Sequence, residues 1–106
     1  MKPIEFVGDP LARLRSFPAS ARRSAGYQLD RVQRGLEPDD WKSIKAIGRG
    51  VRELRIRDYS GTFRVIYLAT LANRVVVLHA FVKKTQRTTK HDIALAAKRF
   101  RELRTE

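Results

Sequence analysis

The spacing of hydrophobic residues in the first third of the chain predicts an amphipathic helix. Its apolar positions recur at helical intervals, and its opposite face is basic; these apolar positions are Ala25, Leu29, Val32 and Leu36. We expect this helix to run from about Pro18 to Arg34. Ser16 is a candidate N-terminal cap, and Gly35 is a natural stop.

A shorter helix is predicted immediately before it, over residues 9–17. Asp9 can cap this helix, and Pro10 suits its first position because a helix leaves the first N–H groups unpaired. The short link between the two helices predicts an antiparallel helical hairpin.

The middle of the chain changes to a strand pattern, with candidates at 51–57, 62–71 and 74–82. The first candidate alternates apolar and basic residues, and the second is rich in β-branched and aromatic residues. Short links predict antiparallel pairing of neighbours. The third is apolar on nearly every position, so both faces of the sheet must be covered.

A last helix is predicted from about Lys90 to Arg104, with Thr89 and Asp92 spaced as a capping box. Its apolar stripe is Ile93, Ala96, Ala97, Phe100 and Leu103. Segment 37–50 contains Pro and Gly breakers and is expected to be a loop that packs on the core. The expected order is α-α-β-β-β-α, a single α+β domain over residues 1–106.

The net charge of +12 adds a functional expectation. Sixteen of the 23 cationic residues are arginine, whose planar fork grips phosphate with two hydrogen bonds. Such a charge destabilises a compact chain through self-repulsion. We therefore expect a polyanionic partner, such as nucleic acid or an acidic protein, although an evenly basic surface is the simpler reading.

The cations are clustered along the chain. Seven lie between residues 42 and 64: Lys42, Lys45, Arg49, Arg52, Arg55, Arg57 and Arg64. Strand alternation places Arg55 and Arg57 on one face. Arg64 shares a face with apolar neighbours two and four residues on, which favours a site over an exposed edge, although an edge arginine with its head in solvent is an equal alternative.

The stretch FVKKTQRTTKHD, residues 81–92, joins the last strand to the last helix. A helix N-terminus offers free N–H groups to phosphate, and Lys83 and Lys84 add full charges. His91 lies in the first turn, where a neutral imidazole could accept a proton. A solvent-facing role for His91 is the simpler alternative, and His79 is expected to be a packed strand residue.

Other chemistries lack support in the residues. With no cysteine and two histidines, the chain has neither disulfides nor a thiolate metal site, and we expect no metal and no small-molecule cofactor. It has no nucleophile-elbow or phosphate-loop motif. No apolar run is long enough for a membrane span and no signal peptide is evident, so a cytoplasmic protein is expected.

The segments VRELRIR, FRVIYLA, VVVLHAFVKKTQRT and DIALAAKRFREL occur in an order that resembles the RelE/ParE superfamily of toxins from type II toxin–antitoxin systems. The phage-derived HigB-like group is the nearest, and the resemblance covers residues 5–104. It implies a RelE-like fold, with two N-terminal helices on an antiparallel sheet and a further helix at the C-terminus.

The resemblance also implies function. It points to a metal-independent endoribonuclease that cleaves mRNA, mostly on the ribosome, and is neutralised by a cognate antitoxin of the helix-turn-helix, HigA-like kind. The resemblance places counterparts of the family's basic residues at Arg55, Arg57, Arg64, Lys83 and Lys84. We expect the catalytic residues to be Arg55, Arg57, Arg64, Lys84 and His91. We expect the RNA-binding residues to be Arg49, Arg52, Lys83, Arg87 and Lys90.

The chain departs from the pattern at the general base. Ile93 stands about where RelE-type enzymes have a tyrosine, and the chain ends in LRTE rather than an Asp-Tyr-His cluster. His91 is the nearest substitute, with Tyr59 and Tyr67 behind it.

Two alternatives stay open. A ParE-like toxin would inhibit DNA gyrase by binding, without cleaving RNA. A plain basic nucleic-acid-binding module would bind phosphates with affinity that falls steeply with salt and would have no toxicity.

Overall fold

The computed structural model describes residues 1–103, which form a mixed α+β fold of three helices and a five-stranded sheet. Along the described chain the elements are β1 (Ile4–Phe6), α1 (Pro10–Arg15), α2 (Ala19–Gln33), β2 (Trp41–Ser43), β3 (Val51–Asp58), β4 (Gly61–Leu68), β5 (Val75–Lys83) and α3 (Lys90–Glu102). The expected α+β class is confirmed, and the architecture is broadly compatible with a RelE-like fold. The expected helix end at Arg104 lies outside the described residues.

The sheet has the order β1-β5-β4-β3-β2. The β3–β4 and β4–β5 pairs are antiparallel, as the short links predicted. The β2–β3 pair is also antiparallel, whereas β1 pairs with β5 in parallel, so the expected fully antiparallel sheet was wrong at this edge. The predicted order α-α-β-β-β-α was wrong in omitting β1 and β2. Each of these strands has only three residues, which is too short to show an alternating pattern.

The helices cover both faces of the sheet, as the apolar third strand required. On one face α1 and α2 pack over inward residues of β3, β4 and β5, including Leu54, Ile56, Phe63, Val65, Tyr67, Val75 and Val77. On the other face Ala96 of α3 packs over Ile66, Leu68, Val76, Leu78 and Phe81. Burying these side chains is the main stabilising term of the fold.

The ends of α2 differ in part from expectation. Gly35 follows the helix with φ = 81°, a left-handed conformation that glycine adopts without steric cost, so the predicted stop is confirmed. Ser16 is not the cap, because Pro18 occupies that position. Leu36 lies beyond the helix and is 50% exposed, so it does not extend the apolar stripe.

Asp9 occupies the N-cap position of α1, but its side chain makes no capping bond. Its carboxylate instead accepts hydrogen bonds from Arg13 and, across the molecule, from Arg99 of α3. These two hydrogen bonds lower the pKa of the Asp9 carboxyl. The cap of α3 is confirmed, because the Asp92 N–H donates to the Thr89 Oγ1 at 3.2 Å.

Candidate functional site

Strand register brings basic residues of three strands onto one face of the sheet. Arg55 of β3 lies directly opposite Arg64 of β4. One step further along, Arg57 lies opposite Thr62, which in turn lies opposite Lys83 of β5. Directly paired residues project to the same face, so these side chains share one surface beside the core packed under α3.

These residues line an open cleft of about 700 Å³. Its described lining is Lys42, Arg55, Arg57, Thr62, Arg64, Lys83, Lys84, Thr85 and Gln86. Six of these nine side chains are cationic and, within residues 1–103, none of the lining residues is acidic. The cleft is therefore a strong anion site, and its open shape suits an extended polyanion better than an enclosed small molecule.

Asp40, just before β2, partly balances two of these cations. Its carboxylate oxygens lie 3.6 Å from Arg55 Nη1 and 3.5 Å from Arg57 Nε. Its backbone carbonyl accepts a hydrogen bond from the Arg55 N–H at 2.9 Å. Both ion pairs are longer than good hydrogen bonds, so the guanidinium groups keep donors for another anion.

Arg64 is the most deeply placed cation of the cleft, with 6% of its surface exposed. Burial lowers the pKa of its guanidinium, and the nearby Glu53 carboxylate opposes that effect. The group still stays charged, because arginine does not lose its proton in proteins. Within the described chain, its Nε and Nη1 are buried without hydrogen-bond partners. Unpaired charged donors of this kind are costly unless a ligand uses them.

Glu53 lies beneath the cleft with its side chain fully buried. One carboxylate oxygen accepts a hydrogen bond from Thr88 Oγ1, and the other lies 4.0 Å from Arg64 Nε. The sequence pattern does not single out Glu53. Its link to Thr88 joins residues 35 positions apart, so no local pattern could have revealed it.

Lys83 ends β5 and donates a hydrogen bond from Nζ to the Gln86 carbonyl at 2.6 Å. Burial and then repulsion from Arg64 lower the pKa of the Lys83 ammonium, against an opposing pull from Glu53. The neutral amine of Lys83 is therefore populated at a lower pH than that of an ordinary lysine. Lys42 also lines the cleft but is absent from the predicted site, because the sequence predicts a loop over residues 37–50, where the structure has β2.

Arg52 does not reach the cleft. Arg52 lies three residues before Arg55 on β3, so its side chain projects from the opposite face of the strand. Its guanidinium lies 3.9 Å from the centre of the Trp41 ring. Its Nη1 also lies 3.2 Å from a Glu37 oxygen. These contacts give Arg52 a structural role on the side of the sheet that α2 covers.

Four other predicted residues also lie apart from the cleft lining. Arg49 is exposed in the connection between β2 and β3, and Arg87 is exposed in the loop between β5 and α3. Lys90 and His91 are exposed in the first turn of α3. Arg87 lines a smaller adjoining pocket that shares Lys83 and Lys84 with the cleft. The structure therefore brings together Arg55, Arg57, Arg64, Lys83 and Lys84, with Arg87 beside them, whereas Arg49, Lys90 and His91 lie outside both linings.

Tyr59 and Tyr67, the alternatives to His91 as general base, do not line the cleft. Tyr59 lies in the turn between β3 and β4 and is 93% exposed. Tyr67 is fully buried on the face covered by α2, where burial raises the pKa of its hydroxyl. Neither position suits a proton acceptor in the cleft.

His79 is a packed strand residue, as expected. Its ring stacks on Phe81, with centroids 4.8 Å apart. Its Nε2–H donates to Asp92 Oδ1 at 2.7 Å, which joins β5 to the first turn of α3. Burial lowers the pKa of the His79 ring more than Asp92 raises it, so the neutral ring is favoured.

Two features of residues 1–103 bear on other functions. No helix in this range combines the length and apolar character that crossing a membrane requires. The same range holds no group of three His, Cys, Asp or Glu residues placed to share a metal ion.

An α+β domain with a cationic cleft at one end of its sheet is compatible with the RelE/ParE-like toxin superfamily. The chain belongs to the family described as phage derived protein Gp49-like (DUF891), whose match covers residues 12–101. This family is toxin-like and falls within that superfamily, and such a family implies an antitoxin partner in general. None of the curated proteins compared with the chain matched it.

Proposed function

We propose that the protein is the HigB-like toxin of a type II toxin–antitoxin pair and cleaves mRNA as a metal-independent endoribonuclease, acting in the cytoplasm on ribosome-bound message. The observation that carries this proposal is the convergence of Arg55, Arg57 and Arg64 with Lys83 and Lys84 in one cleft. Three strands and a loop contribute to it, so the cluster is a product of folding rather than of local sequence.

The reaction needs little more than charge and position. The RNA 2′-oxygen attacks its own 3′ phosphorus, a bond to phosphorus forms, and the bond to the 5′-oxygen breaks. The nucleophile is already tethered, which removes most of the entropic cost of the encounter. Arg55, Arg57, Arg64 and Lys84 stabilise the negative charge that grows on the phosphoryl oxygens.

Two protons must move: one leaves the 2′-hydroxyl and one reaches the 5′-oxygen. Arginine cannot accept the first, because its pKa exceeds about 12. Lys83 lines the cleft and has a lowered pKa, so it takes the first proton in this proposal. Solvent water, which has access to the open cleft, supplies the second proton to the 5′-oxygen. His91, the candidate from sequence, lies outside the cleft lining and becomes the comparison variant.

The antitoxin of this proposal is a helix-turn-helix, HigA-like protein that places acidic side chains over the cleft. Charge complementarity supports it, because six cations without a lining acid attract such a segment and block RNA. Expression together with a helix-turn-helix protein encoded by a short neighbouring gene should restore growth.

The test removes cleft cations and measures purified-protein cleavage of translated mRNA together with growth arrest. We expect Arg64→Ala and Lys84→Ala each to lower the cleavage rate by about 10²- to 10³-fold, by analogy with loss of an oxyanion donor. Arg34→Ala, a control at the C-terminal cap of α2 where Arg34 pairs with Asp30, should leave both readouts unchanged.

If both cleft variants still cleave RNA and arrest growth, the site assignment is wrong. A supercoiling assay run beside the cleavage assay separates the rival toxin mechanism. Gyrase inhibition by wild-type protein without any RNA product would replace the nuclease proposal with a ParE-like one.

A further inference from the structure

Glu53 is a fully buried acid on the most basic face of the protein. Glu53, Arg55 and Arg57 are spaced two residues apart along β3, so their side chains project toward the same side of the sheet. Removing a carboxylate from water is expensive unless it is paired and hydrogen-bonded. Its position calls for a role that an apolar residue could not fill.

The two oxygens of Glu53 serve two different parts of the site. Oε2 accepts the hydrogen bond of Thr88 Oγ1, from the loop between β5 and α3. Oε1 lies 4.0 Å from Arg64 Nε and, within the described residues, has no hydrogen-bond partner. The carboxylate thus lies between the floor of the cleft and the loop that forms its wall.

The 4.0 Å separation has a functional consequence. It is too long for a hydrogen bond, so Glu53 balances the buried charge of Arg64 without occupying its N–H groups. Arg64 Nε and Nη1 stay free of hydrogen-bond partners in the described chain. A closer carboxylate would hold the guanidinium and compete with phosphate for its donors.

The Thr88 bond to Glu53 acts on the loop between β5 and α3, which forms a wall of the cleft. The loop of residues 84–89 contributes Lys84, Thr85 and Gln86 to the cleft lining. Thr88 lies two residues after the last of these, so its bond to Glu53 holds the end of the loop against β3. Other hydrogen bonds of this loop join it to near neighbours, as from Lys83 to the Gln86 carbonyl, whereas the Thr88 bond reaches β3. Losing it should therefore let the loop, with Lys84, shift relative to Arg64.

We propose that Glu53 is a positioning residue that couples Arg64 to the loop bearing Lys84, so that both present their donors to one RNA phosphate. The inference rests on the proposed function, since it takes RNA phosphate as the ligand of the cleft. Glu53 is buried below the cleft and acts through Arg64 and Thr88 rather than by touching RNA.

A double-mutant cycle tests this coupling, with a 2′-O-methyl oligoribonucleotide as the probe because it binds but cannot be cleaved. Thr88→Val removes the hydroxyl at nearly constant volume and should weaken binding by about 5- to 10-fold. Thr88→Ser should restore affinity to within about 2-fold. Thr70→Val, an exposed site far from the cleft, controls for the substitution itself.

The decisive comparison is Thr88→Val in the Arg64→Ala background. If Glu53 couples the two groups, the combined loss falls short of the product of the single losses by about 5-fold, within the range for residues in one network. Independent, multiplying losses would overturn the proposal, as would unchanged binding by Thr88→Val. Glu53→Gln retains an oxygen that accepts from Thr88 but removes the charge that balances Arg64, so it should weaken binding through Arg64 alone. If this variant does not fold, the double-mutant cycle with Thr88 still decides.

The two proposals fail separately. Wild-type protein that binds the probe with this coupling but cleaves no RNA would end the nuclease proposal and leave the positioning role of Glu53 intact. Cleavage by wild type without coupling would end the positioning role alone. Absence of probe binding by wild-type protein would overturn both.

Discussion

At the scale of single residues, Arg64 shows how a local pattern can locate a side chain of the candidate site. A cation in line with apolar neighbours on a strand predicted a site, and the side chain is 6% exposed at the floor of the cleft. Its partner Glu53 could not be found this way, because the contacts of a buried acid depend on which strands and loops meet around it. His91 was favoured for its place in a helix N-terminus, but helix position does not say whether a side chain reaches the cleft.

Lys83 carries a prediction about pH. Burial lowers its pKa, so its neutral form should become available at a pH below the ordinary lysine value of 10.5. If the neutral amine accepts the 2′-hydroxyl proton, the cleavage rate rises with pH until Lys83 has lost its proton. Lys83→Arg stays protonated and should abolish this rise and lower the rate by about 10²-fold or more.

The measurement is kcat/KM against pH for wild type, Lys83→Arg and His91→Ala, with an all-2′-deoxy substrate to subtract background. His91→Ala should keep the wild-type profile. A profile lost in His91→Ala and kept in Lys83→Arg would return the proton transfer to His91.

At the scale of elements, periodic segments and a helix with a clear start signal were predictable, whereas three-residue strands were not. α2, α3 and the three long strands were found because their patterns repeat several times, and the six-residue α1 was found from Asp9 and Pro10 at its start. β1 and β2 are each three residues long, and their position depends on pairing with β5 and β3. Missing β2 also hid Lys42, whose place in the cleft follows from its register.

The docking of α3 onto the sheet should depend on pH through His79. Burial lowers the pKa of this ring below its usual 6.5, while the unfolded chain binds a proton at the ordinary value. The stabilising contribution is therefore complete above about pH 6.5 and is lost as pH falls below it. The slope is at most about 1.4 kcal/mol per pH unit for one proton.

Urea unfolding between pH 5 and 8 measures this effect. His79→Gln should flatten the dependence in that window, whereas His91→Gln, in an exposed position, should keep it. A wild-type stability that is level from pH 8 to 5 would contradict the role given to the buried ring.

At the scale of the whole molecule, the charge of +12 is concentrated by folding as well as by composition. Six cations from β2, β3, β4, β5 and the following loop line one cleft. Composition predicted a polyanionic partner, but only the strand order and register show where it would bind. The match over residues 12–101 adds the toxin-like family, which neither charge nor fold alone would supply.

Binding of single-stranded RNA should therefore depend on salt in a countable way. Each phosphate neutralised contributes about −0.7 to the slope of log K against log salt. Lys84→Ala should reduce the magnitude of the slope by about that amount, and Lys98→Ala on the exposed side of α3 should leave it unchanged. Equal changes in both variants would mean that RNA binds the basic surface at large.

The central claim is that the cationic cleft cleaves RNA, and mapping 5′ ends of cellular mRNA after induction tests it most directly. Wild-type protein should produce new 5′-hydroxyl ends within translated regions, and Arg64→Ala, expressed at the same level, should not. New ends that appear equally with Arg64→Ala, or growth arrest by the wild type without any new ends, would contradict the account.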